Sequence, residues 1–507
     1  MVQDRSASIF GNPVSARTYA KAVRSKERYA RKFNDDPSAI CHLSAEQAPV
    51  VGDAFGVRQL LPGDAPFDID ADAAATAGRQ APVNVIDNCQ GNGKPVIVGN
   101  IRMGFGHYRI AMAMASAAHA LGYTPYWMDL TAFPDTTCSK LIAYQNDLYS
   151  MGSRLSQKFP PFNALVWEPL NSEGFRQLSY NAADQKNAEL MVAPFADLNP
   201  QTPFIGTHVW PAQAAVHAGM RHVVNAIPDN WPMALHLAEG SLHTVQTPSS
   251  YLGYKALRGM DKHRALAPMP EGSLAYTGHY VDHELVVNLK ADCARRRARL
   301  QAGGPVRYLL SVGGAGAQQG LFAGIIAHLM PYIDAGRATL LVNVGDHRRV
   351  WEGLCETVPA LREAHTHFDD AQETARFAAN ALDNPVEGIH AFCDSDIFGA
   401  VYSTNLLMRA CDVLITKPSE LSFYPVPKLM IHRVGGHEAW GAIRAAEVGD
   451  GTYEMDSPAE MRAALDLFQA EPGIVAQMCD NIETADAQGT YDGAYRVVRL
   501  ACAGQDA

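Results

Sequence analysis

Two copies of one local pattern, about 200 residues apart, constrain what this 507-residue chain can fold into. In the first copy, an apolar run at 96–99 leads through a glycine-containing loop into an Ala- and Met-rich stretch at 107–121. In the second, the apolar run 308–312 leads through a three-glycine loop into an apolar-faced stretch at 318–332. Strand, glycine loop and helix in this order open a doubly wound α/β domain. The sequence therefore predicts two Rossmann-like domains, each with its ligand site outside the carboxyl ends of parallel strands.

The rest of the chain is organised around these two units. Ser457 and Glu460 form a capping box with a proline at the first helical position, which predicts a helix from residue 458. Further strands are predicted at 126–128, 221–227, 339–344, 412–416 and 428–432. We expect an N-terminal extension and linker at 1–94, an N-terminal Rossmann-like domain at 95–300, a C-terminal Rossmann-like domain at 301–455, and C-terminal helices at 456–507 that pack back toward the N-terminal domain.

The charge balance excludes one class of partner. Lys and Arg number 42 against 53 Asp and Glu, a net charge of −11, whereas nucleic-acid binding needs a basic face. One basic stretch stands out in a predicted N-terminal helix, with cations at Arg17, Lys21, Arg24, Lys26, Arg28, Arg31 and Lys32. A solvated helix face and a peripheral contact with a membrane surface or a partner both stay open for it.

Compartment signals favour the cytoplasm. No apolar run approaches the ~18 residues that span a bilayer, and the N-terminal sequence has no secretory core. The nine cysteines are scattered, and the closest pair, Cys393 and Cys411, is 18 residues apart. This spacing predicts free thiols, as in a cytoplasmic protein, and neither a disulfide framework nor a zinc site.

The first glycine loop contains a candidate base. Gly104 and Gly106 permit a tight turn, and the following helix points free amides and a partial positive charge outward. Arg109 stands where a dinucleotide fingerprint needs its third glycine, and no Walker lysine is present. His107 lies in the first helical turn, where the helix terminus favours a neutral imidazole that accepts a proton. A capping or packing role for His107 is equally compatible with the pattern.

A carboxylate follows another strand of the first unit. Asp229 comes directly after the strand predicted at 221–227, so it projects from the carboxyl edge of the sheet. It could orient His107 or hold a substrate hydroxyl. Capping of the next helix is an alternative role for it.

The second glycine loop suits a diphosphate. Gly313, Gly314 and Gly316 allow close approach to the backbone, and the helix dipole then holds negative charge. No Lys or Ser/Thr metal ligand follows, which argues against a magnesium triphosphate; a turn without a ligand stays open. Polar residues follow three later strands and fit a nucleotide pocket: Gly345, Asp346 and His347; Lys417, Ser419 and Glu420; and Gly435, Gly436, His437 and Glu438.

No metal site or cofactor is predicted. Asp394 and Asp396 match a metal-binding Asp-x-Asp pattern, but a helix predicted at 405–411 follows them, so we expect a capping role. The histidine pairs 365/367 and 279/283 lack acidic or cysteine partners at matching distances.

The motifs GFGHYRIAMAMASAAHALG, MDL, IPDNW, TGHYVD, LLSVGGAGAQ, LMRACDVLITKPSE and GGHE, in this order across residues 95–455, resemble GT-B glycosyltransferases. The resemblance is greatest to the family 28-like branch, which contains the lipid II-forming N-acetylglucosaminyltransferase and the monogalactosyldiacylglycerol synthases. It implies a hexosyltransferase in which the C-terminal domain holds a UDP-sugar and the N-terminal domain holds an acceptor. It also implies inversion at the anomeric carbon without a metal ion.

The residue patterns and the resemblance together assign roles to the candidate residues. His107 would be the base and Asp229 would orient it. Glu420 would replace the ribose-binding glutamate. Diphosphate and donor sugar would contact Gly313, Gly314, Gly316, Ala317, Gln318, Lys417, Gly436, His437 and Glu438, whereas Gly104, Gly106 and Arg109 would face the acceptor.

One difference from the pattern of that family keeps other functions open. Only residues 418–427 lie between Lys417, just after one predicted strand, and Lys428, where the next begins, which is too few for the usual crossover helix. A sugar-nucleotide epimerase or hydrolase of the same fold, or a non-catalytic nucleotide-sugar-binding protein, stays open. A dinucleotide oxidoreductase is disfavoured by the incomplete fingerprints.

Overall fold

Two mainly parallel sheets organise the chain in a computed structural model, which describes residues 4–77, 91–159, 161, 165, 170–314, 316 and 318–503. The described strands are β1 Ser8–Ile9, β2 Asn12–Pro13, β3 His42–Gln47, β4 Arg58–Gly63, β5 Pro95–Asn100, β6 Thr124–Asp129, β7 Phe204–Gly206, β8 Val223–Ala226, β9 Leu242–Val245, β10 Leu274–Tyr276, β11 Val306–Ser311, β12 Ala338–Asn343, β13 His365–Phe368, β14 Ile389–Cys393, β15 Val413–Thr416 and β16 Lys428–Met430.

The described α-helices cover the faces of these sheets and connect their strands. They are α1 Ala16–Phe33, α2 Val51–Phe55, α3 Ile69–Ala77, α4 Gly106–Ala120, α5 Thr137–Lys158, α6 Leu178–Ala188, α7 Val209–His217, α8 Pro248–Lys255, α9 His283–Val287, α10 Leu289–Gln301, α11 Gln319–Asp334, α12 Arg348–Thr357, α13 Ala371–Asp383, α14 Ile397–Ala410, α15 Ala439–Val448, α16 Pro458–Ala470, α17 Gly473–Ala487 and α18 Gly493–Cys502.

The first sheet has eight strands in the order β10-β9-β8-β7-β5-β6-β4-β3. All neighbours are parallel except the edge pair β3 and β4. Every residue of β5 is buried, as expected for a central parallel strand that helices cover on both faces. Residues 1–94, which the sequence predicts as an extension and linker, thus supply two strands of this sheet, β3 and β4. Their mixed polar sequences, HLSAEQ and RQLLPG, have little of the alternation that identifies a strand.

The second sheet is fully parallel, in the order β13-β14-β12-β11-β15-β16. The predicted strand at 308–312 is confirmed within β11, and the strands predicted at 339–344, 412–416 and 428–432 correspond to β12, β15 and β16. The predicted fold class, two Rossmann-like doubly wound domains facing across a cleft, is confirmed.

The short connection between β15 and β16 contains a 3-10 turn, Glu420–Phe423, in place of a crossover helix. A buried lysine stabilises this connection: Lys428 Nζ donates to the carbonyls of Tyr424 at 2.7 Å and Val426 at 3.0 Å. The same ammonium pairs with Asp450 Oδ1 at 2.7 Å. The lysine therefore satisfies carbonyls that a helix would have bonded internally.

The C-terminal helices connect the two units. The predicted cap is confirmed, since Ser457 Oγ accepts a hydrogen bond from the Glu460 amide at 3.3 Å at the start of α16. The last helix, α18, packs against α4 of the first unit, and Tyr495, Val497 and Val498 belong to the same buried cluster as Tyr108. None of the described helices is both long enough and apolar enough to cross a membrane.

A buried arginine joins the two units and corrects one expectation. Arg109, expected to face the acceptor, is buried, and its guanidinium donates to the Val401 carbonyl at 3.4 Å, Asn405 Oδ1 at 3.3 Å and Thr404 Oγ1 at 3.3 Å. It also pairs with Glu420 Oε1 at 3.4 Å. Its helix position suggested a cleft residue, but the second unit covers this side of α4.

We predict that Arg109→Met destabilises the fold strongly, by about 3–5 kcal/mol, because it leaves a carboxylate and side-chain oxygens without their donor. The matched control is Arg102→Met, which breaks another ion pair between the units, Arg102 Nη2 to Asp346 Oδ2 at 2.7 Å. Arg102 is 53% exposed, so this loss should cost less than about 1 kcal/mol. Urea unfolding measures the free energy of unfolding of both variants. An equal loss in the two would contradict the structural role of Arg109.

Candidate active site

Three neighbouring strands of the first sheet bring a histidine cluster to one edge. β5, β7 and β8 are adjacent and parallel, and their carboxyl ends lead to His107, His208 and Asp229, respectively. A short 3-10 turn after β8, Ala234–His236, adds His236 to the cluster. This is the edge at which doubly wound sheets bind ligands.

The tautomer of His107 follows from its contact with the backbone. Its Nδ1 lies 2.8 Å from the carbonyl oxygen of Thr207, which can only accept a hydrogen bond. Nδ1 therefore carries the proton, and Nε2 has the lone pair of a neutral ring. Burial lowers the pKa of His107, as does the neighbouring His236, although the Thr207 carbonyl and Asp229 act in the opposite direction. The ring is thus held in the form that accepts a proton.

Asp229 pairs with a different histidine from the one expected. Its Oδ2 lies 3.1 Å from His236 Nε2, and His236 Nδ1 lies 2.6 Å from the hydroxyl of Tyr254. Burial alone would raise the pKa of Asp229, but the hydrogen bond from His236 and the electrostatic interactions with His437 and His107 lower it below the usual value. Asp229 therefore stays ionised, and the Thr207 carbonyl, not Asp229, holds the ring of His107. The turn after Asp229 has no side-chain cap, so the capping alternative is not realised either.

Sequence reasoning missed His208 and His236. The ring of His208 meets that of His107 edge-on, with centroids 4.6 Å apart, and burial holds the pKa of His208 well below its ordinary value. His208 stands two residues after the end of β7, which is a usable signal, since residues just past strand ends line such sites. His236 lies seven residues beyond Asp229, and its pairing needs the folded turn.

The glycine loops of the two units touch. A Cβ atom on Gly314 would lie 2.4 Å from the Phe105 amide nitrogen and 2.8 Å from Gly104 Cα. The Phe105 ring projects into the second unit, where a Cβ on Gly345 would lie 2.5 Å from it, and it packs against His347 with centroids 5.5 Å apart. Only glycine at 314 permits this approach of two backbones.

Charged side chains of the second unit gather beside this contact. Lys417 Nζ pairs with Glu438, and a Cβ on Gly313 would lie 3.1 Å from Lys417 Cε. Burial alone would lower the pKa of Lys417, but Glu438 and Glu420 raise it. Glu420 also reaches the first unit, since a Cβ on Gly106 would lie 3.1 Å from its Oε2. Gly104 and Gly106 therefore face the second unit at the cleft.

The remaining predicted residues are dispersed around this centre. His437 lies in the same cavity as His107 and Asp229. Gln318 has a left-handed backbone (φ 70°), and its Nε2 donates to the His432 carbonyl at 2.7 Å. Gly316 also has positive φ (59°), Gly436 is exposed, and Ala317 lies outside the described residues.

A cavity of about 440 Å³ extends from the histidine cluster into the first unit. His107, His208, Asp229, His236 and His437 form one end. Side chains of α1, α5, α6 and nearby loops form the rest: Ser25, Tyr29, Met103, Gln145, Leu148, Leu170, Phe175, Tyr180, Ala183, Asp184, Asn187, Val209, Trp210, Asn225, Pro228, Met233 and Leu235. The walls are mostly apolar, so this space suits a small organic molecule.

The acidic pattern at Asp394 and Asp396 has the expected structural role. Asp396 Oδ1 accepts hydrogen bonds from the amides of Phe398 at 2.9 Å and Gly399 at 3.1 Å, which caps α14. Among the described residues, one group has metal-ligand spacing, His432, Glu454 and Asp456. Arg433 occupies a carboxylate of that group by pairing with Glu454.

The fold and the site define a two-unit α/β protein with a histidine-lined cavity at its cleft. Residues 8–256 match a family model described as a domain of unknown function (DUF6937), and residues 269–502 match a second one (DUF6938). No curated protein matches the chain in sequence.

Solved structures with a distant likeness include the UDP-GlcNAc 2-epimerase of Neisseria meningitidis bound to UDP-GlcNAc. It is 11% identical, with 80% of this chain and 99% of that chain covered and a TM-score of 0.41. The α,α-trehalose 6-phosphate synthase of Burkholderia multivorans is 14% identical, with 81% and 99% covered and a TM-score of 0.42.

We predict that Gly314→Ala forces the two glycine loops apart, because the added Cβ meets backbone atoms that cannot rotate away. The free energy of unfolding should fall by about 1–3 kcal/mol, as for other overpacked sites. Gly320→Ala is the control, since nothing lies within 4 Å of its Cβ position in the first turn of α11. Thermal unfolding and hydrogen exchange at 102–106 measure the effect; unchanged exchange would contradict the contact.

Proposed function

We propose that this chain is a glycosyltransferase that moves a hexose from a nucleotide sugar, with UDP as the nucleotide, to an acceptor hydroxyl. One observation carries the proposal: the glycine loop after β11 meets the loop that leads into the His107 helix, at facing strand edges of two Rossmann-like units. A donor held by the second unit would thus lie next to a base held by the first. The family 28-like branch and the uridine base stay predictions from the sequence motifs.

Donor binding in this proposal uses the groups around the second glycine loop. The diphosphate lies against the amides that follow β11, where the start of α11 favours negative charge. Lys417 is the nearby cation, and a phosphate would compete with Glu438 for its ammonium. Glu420 is the candidate ribose ligand, and His437 reaches from this unit toward the donor sugar.

Transfer is a single displacement. The acceptor oxygen attacks C1 of the sugar, its proton passes to Nε2 of His107, and the bond between C1 and the phosphate oxygen breaks. UDP leaves with the electron pair, and the configuration at C1 inverts. Loop amides and Lys417 stabilise the charge that develops on the leaving diphosphate. The protein's own groups thus provide the electrostatic stabilisation of the leaving group.

The histidine cluster supports the proton transfer. Protonation of His107 creates a positive ring near ionised Asp229, whose charge favours that form. His208, held neutral by burial, packs against His107 without adding a competing charge. His236 and Tyr254 keep Asp229 in place. The arrangement gives a base that is neutral before the reaction and stabilised after it.

We predict that His107→Gln lowers kcat at least 100-fold, because general-base catalysis contributes about 10²–10⁴ in rate. UDP affinity should change less than twofold. Since burial lowers the pKa of His107, wild-type kcat/KM should stay high below pH 6.5 and fall only in more acidic buffer. Release of UDP from UDP-sugars with an acceptor panel measures turnover, and thermal shift measures binding.

The control for this experiment is His222→Gln. His222 precedes β8, at the opposite edge of the same sheet, and should have wild-type turnover. Wild-type turnover of His107→Gln would remove His107 from the mechanism. Consumption of UDP-sugar without any acceptor would favour the hydrolase or epimerase alternative. UDP-sugar binding with no turnover on any acceptor would favour a non-catalytic binding protein.

We also propose that the first unit, which would hold the acceptor, makes a peripheral contact with anionic membrane lipid. Along α1, the exposed cations Arg17, Lys21, Arg24, Arg28 and Arg31 recur every three or four residues, so they share one face. The neighbouring α5 and its end expose apolar side chains at the same spacing, Leu148, Met151, Leu155 and Phe159. Cations beside exposed apolar side chains are what a helix at an anionic membrane surface presents.

We predict that the triple variant Arg24→Gln, Arg28→Gln and Arg31→Gln loses binding to vesicles that contain phosphatidylserine, because each cation near the surface contributes about 1 kcal/mol. The triple variant Lys290→Gln, Arg376→Gln and Arg462→Gln, with the same loss of charge elsewhere, should bind like the wild type. Vesicle co-sedimentation at low salt measures both. Equal binding of the two triple variants would contradict the membrane contact.

A further inference from the structure

Two unpaired acceptor oxygens lie on one face of α6 in the cavity wall. Asp184 is 5% exposed and Asn187 is 4% exposed, and both line the cavity. Asp184 Oδ2 and Asn187 Oδ1 have no hydrogen-bond partner in the described part of the chain. The two residues are three apart in the helix, so their side chains are neighbours. Buried polar atoms in native proteins are usually bonded, and these two oxygens point to a partner that the described residues do not supply.

Asp184 also lacks a counter-charge among the described residues. Its side chain accepts a hydrogen bond from Trp210, and no described residue forms an ion pair with it. Burial raises the pKa of Asp184 to about 7. An ionised carboxylate inside a protein is costly unless a cation pairs with it. The missing partner is therefore best supplied by a positively charged donor.

The walls around Asp184 suit such a group. Tyr29, Phe175, Tyr180 and Trp210 line the same cavity, and aromatic faces attract cations. Among the described residues that line this cavity, none is a lysine or an arginine. A protonated amine supplies both a charge and several N–H donors for the two oxygens, whereas a hydroxyl supplies one donor and no charge.

We propose that the cavity binds an amine-bearing ligand, whose protonated nitrogen is held by Asp184 and Asn187 and whose ring or apolar body lies against the aromatic walls. This inference rests on the proposed function in one respect, since it takes the ligand to be the sugar acceptor. His107 lines the same cavity, so the acceptor is an amino alcohol that presents its hydroxyl to His107 Nε2. Asp184 and Asn187 bind this ligand and take no part in the chemistry.

The test uses two probes that differ in one group, trans-4-aminocyclohexanol and trans-1,4-cyclohexanediol. Calorimetry at pH 8 should give at least tenfold tighter binding of the amine by the wild type. Asp184→Asn keeps the shape and the bond from Trp210 but removes the charge, so the amine and the diol should then bind within twofold of each other. Asn187→Leu should weaken amine binding severalfold.

Asp466→Asn is the matched control, because it removes an exposed carboxylate from α16, on the second unit, and should keep the amine preference. Equal binding of the two probes by the wild type, no binding of either, or a preserved preference in Asp184→Asn would overturn the inference. Folding of each variant is checked by its thermal midpoint, which Asp184→Asn should raise at pH 8, since a buried charge is removed.

UDP binding by the same samples separates this inference from the proposed function. UDP binding without an amine preference would leave the glycosyltransferase proposal standing and reject the amine site. An amine preference that depends on Asp184, with no UDP or UDP-sugar binding, would support the amine site and reject the donor site.

Discussion

The approach of two glycine loops is the constraint on which the rest of the structure depends. Gly314 has no side chain, so the backbone of the second unit reaches the Phe105 amide of the first. This contact places the start of α4, and with it His107, beside the loop after β11. It also brings Glu420 next to Gly106, and Arg109 of the same helix reaches the second unit through Thr404 and Asn405. Gly314 thus determines how closely the loop after β11 approaches the start of the His107 helix.

The sequence predicts the parts of the fold that local patterns encode. The strand–loop–helix units at β5 and β11 were predictable because buried parallel strands read as apolar runs and glycines mark the loops between strand and helix. The caps at Ser457 and Asp396 were predictable because capping uses bonds within three residues. Strands β3 and β4 were not, since their mixed polar sequences lack a strong period.

Pairings between distant residues account for what the sequence could not predict at the site. His107 and Asp229 were singled out because each follows a strand end. Their partners depend on tertiary structure: the Thr207 carbonyl holds His107, and His236 pairs with Asp229. Arg109 shows the same limit, since a helix start near a glycine loop resembles a ligand-facing position until a second unit covers it.

The path of the chain between the units has a mechanical consequence. The chain leaves the first sheet after β10 to build the second, and α18 returns at the far end to pack on α4. Two segments of the chain therefore cross between the units. Two connections resist twisting and sliding of one unit against the other more than a single linker does. Any movement of one unit relative to the other therefore has to bend both crossings at once.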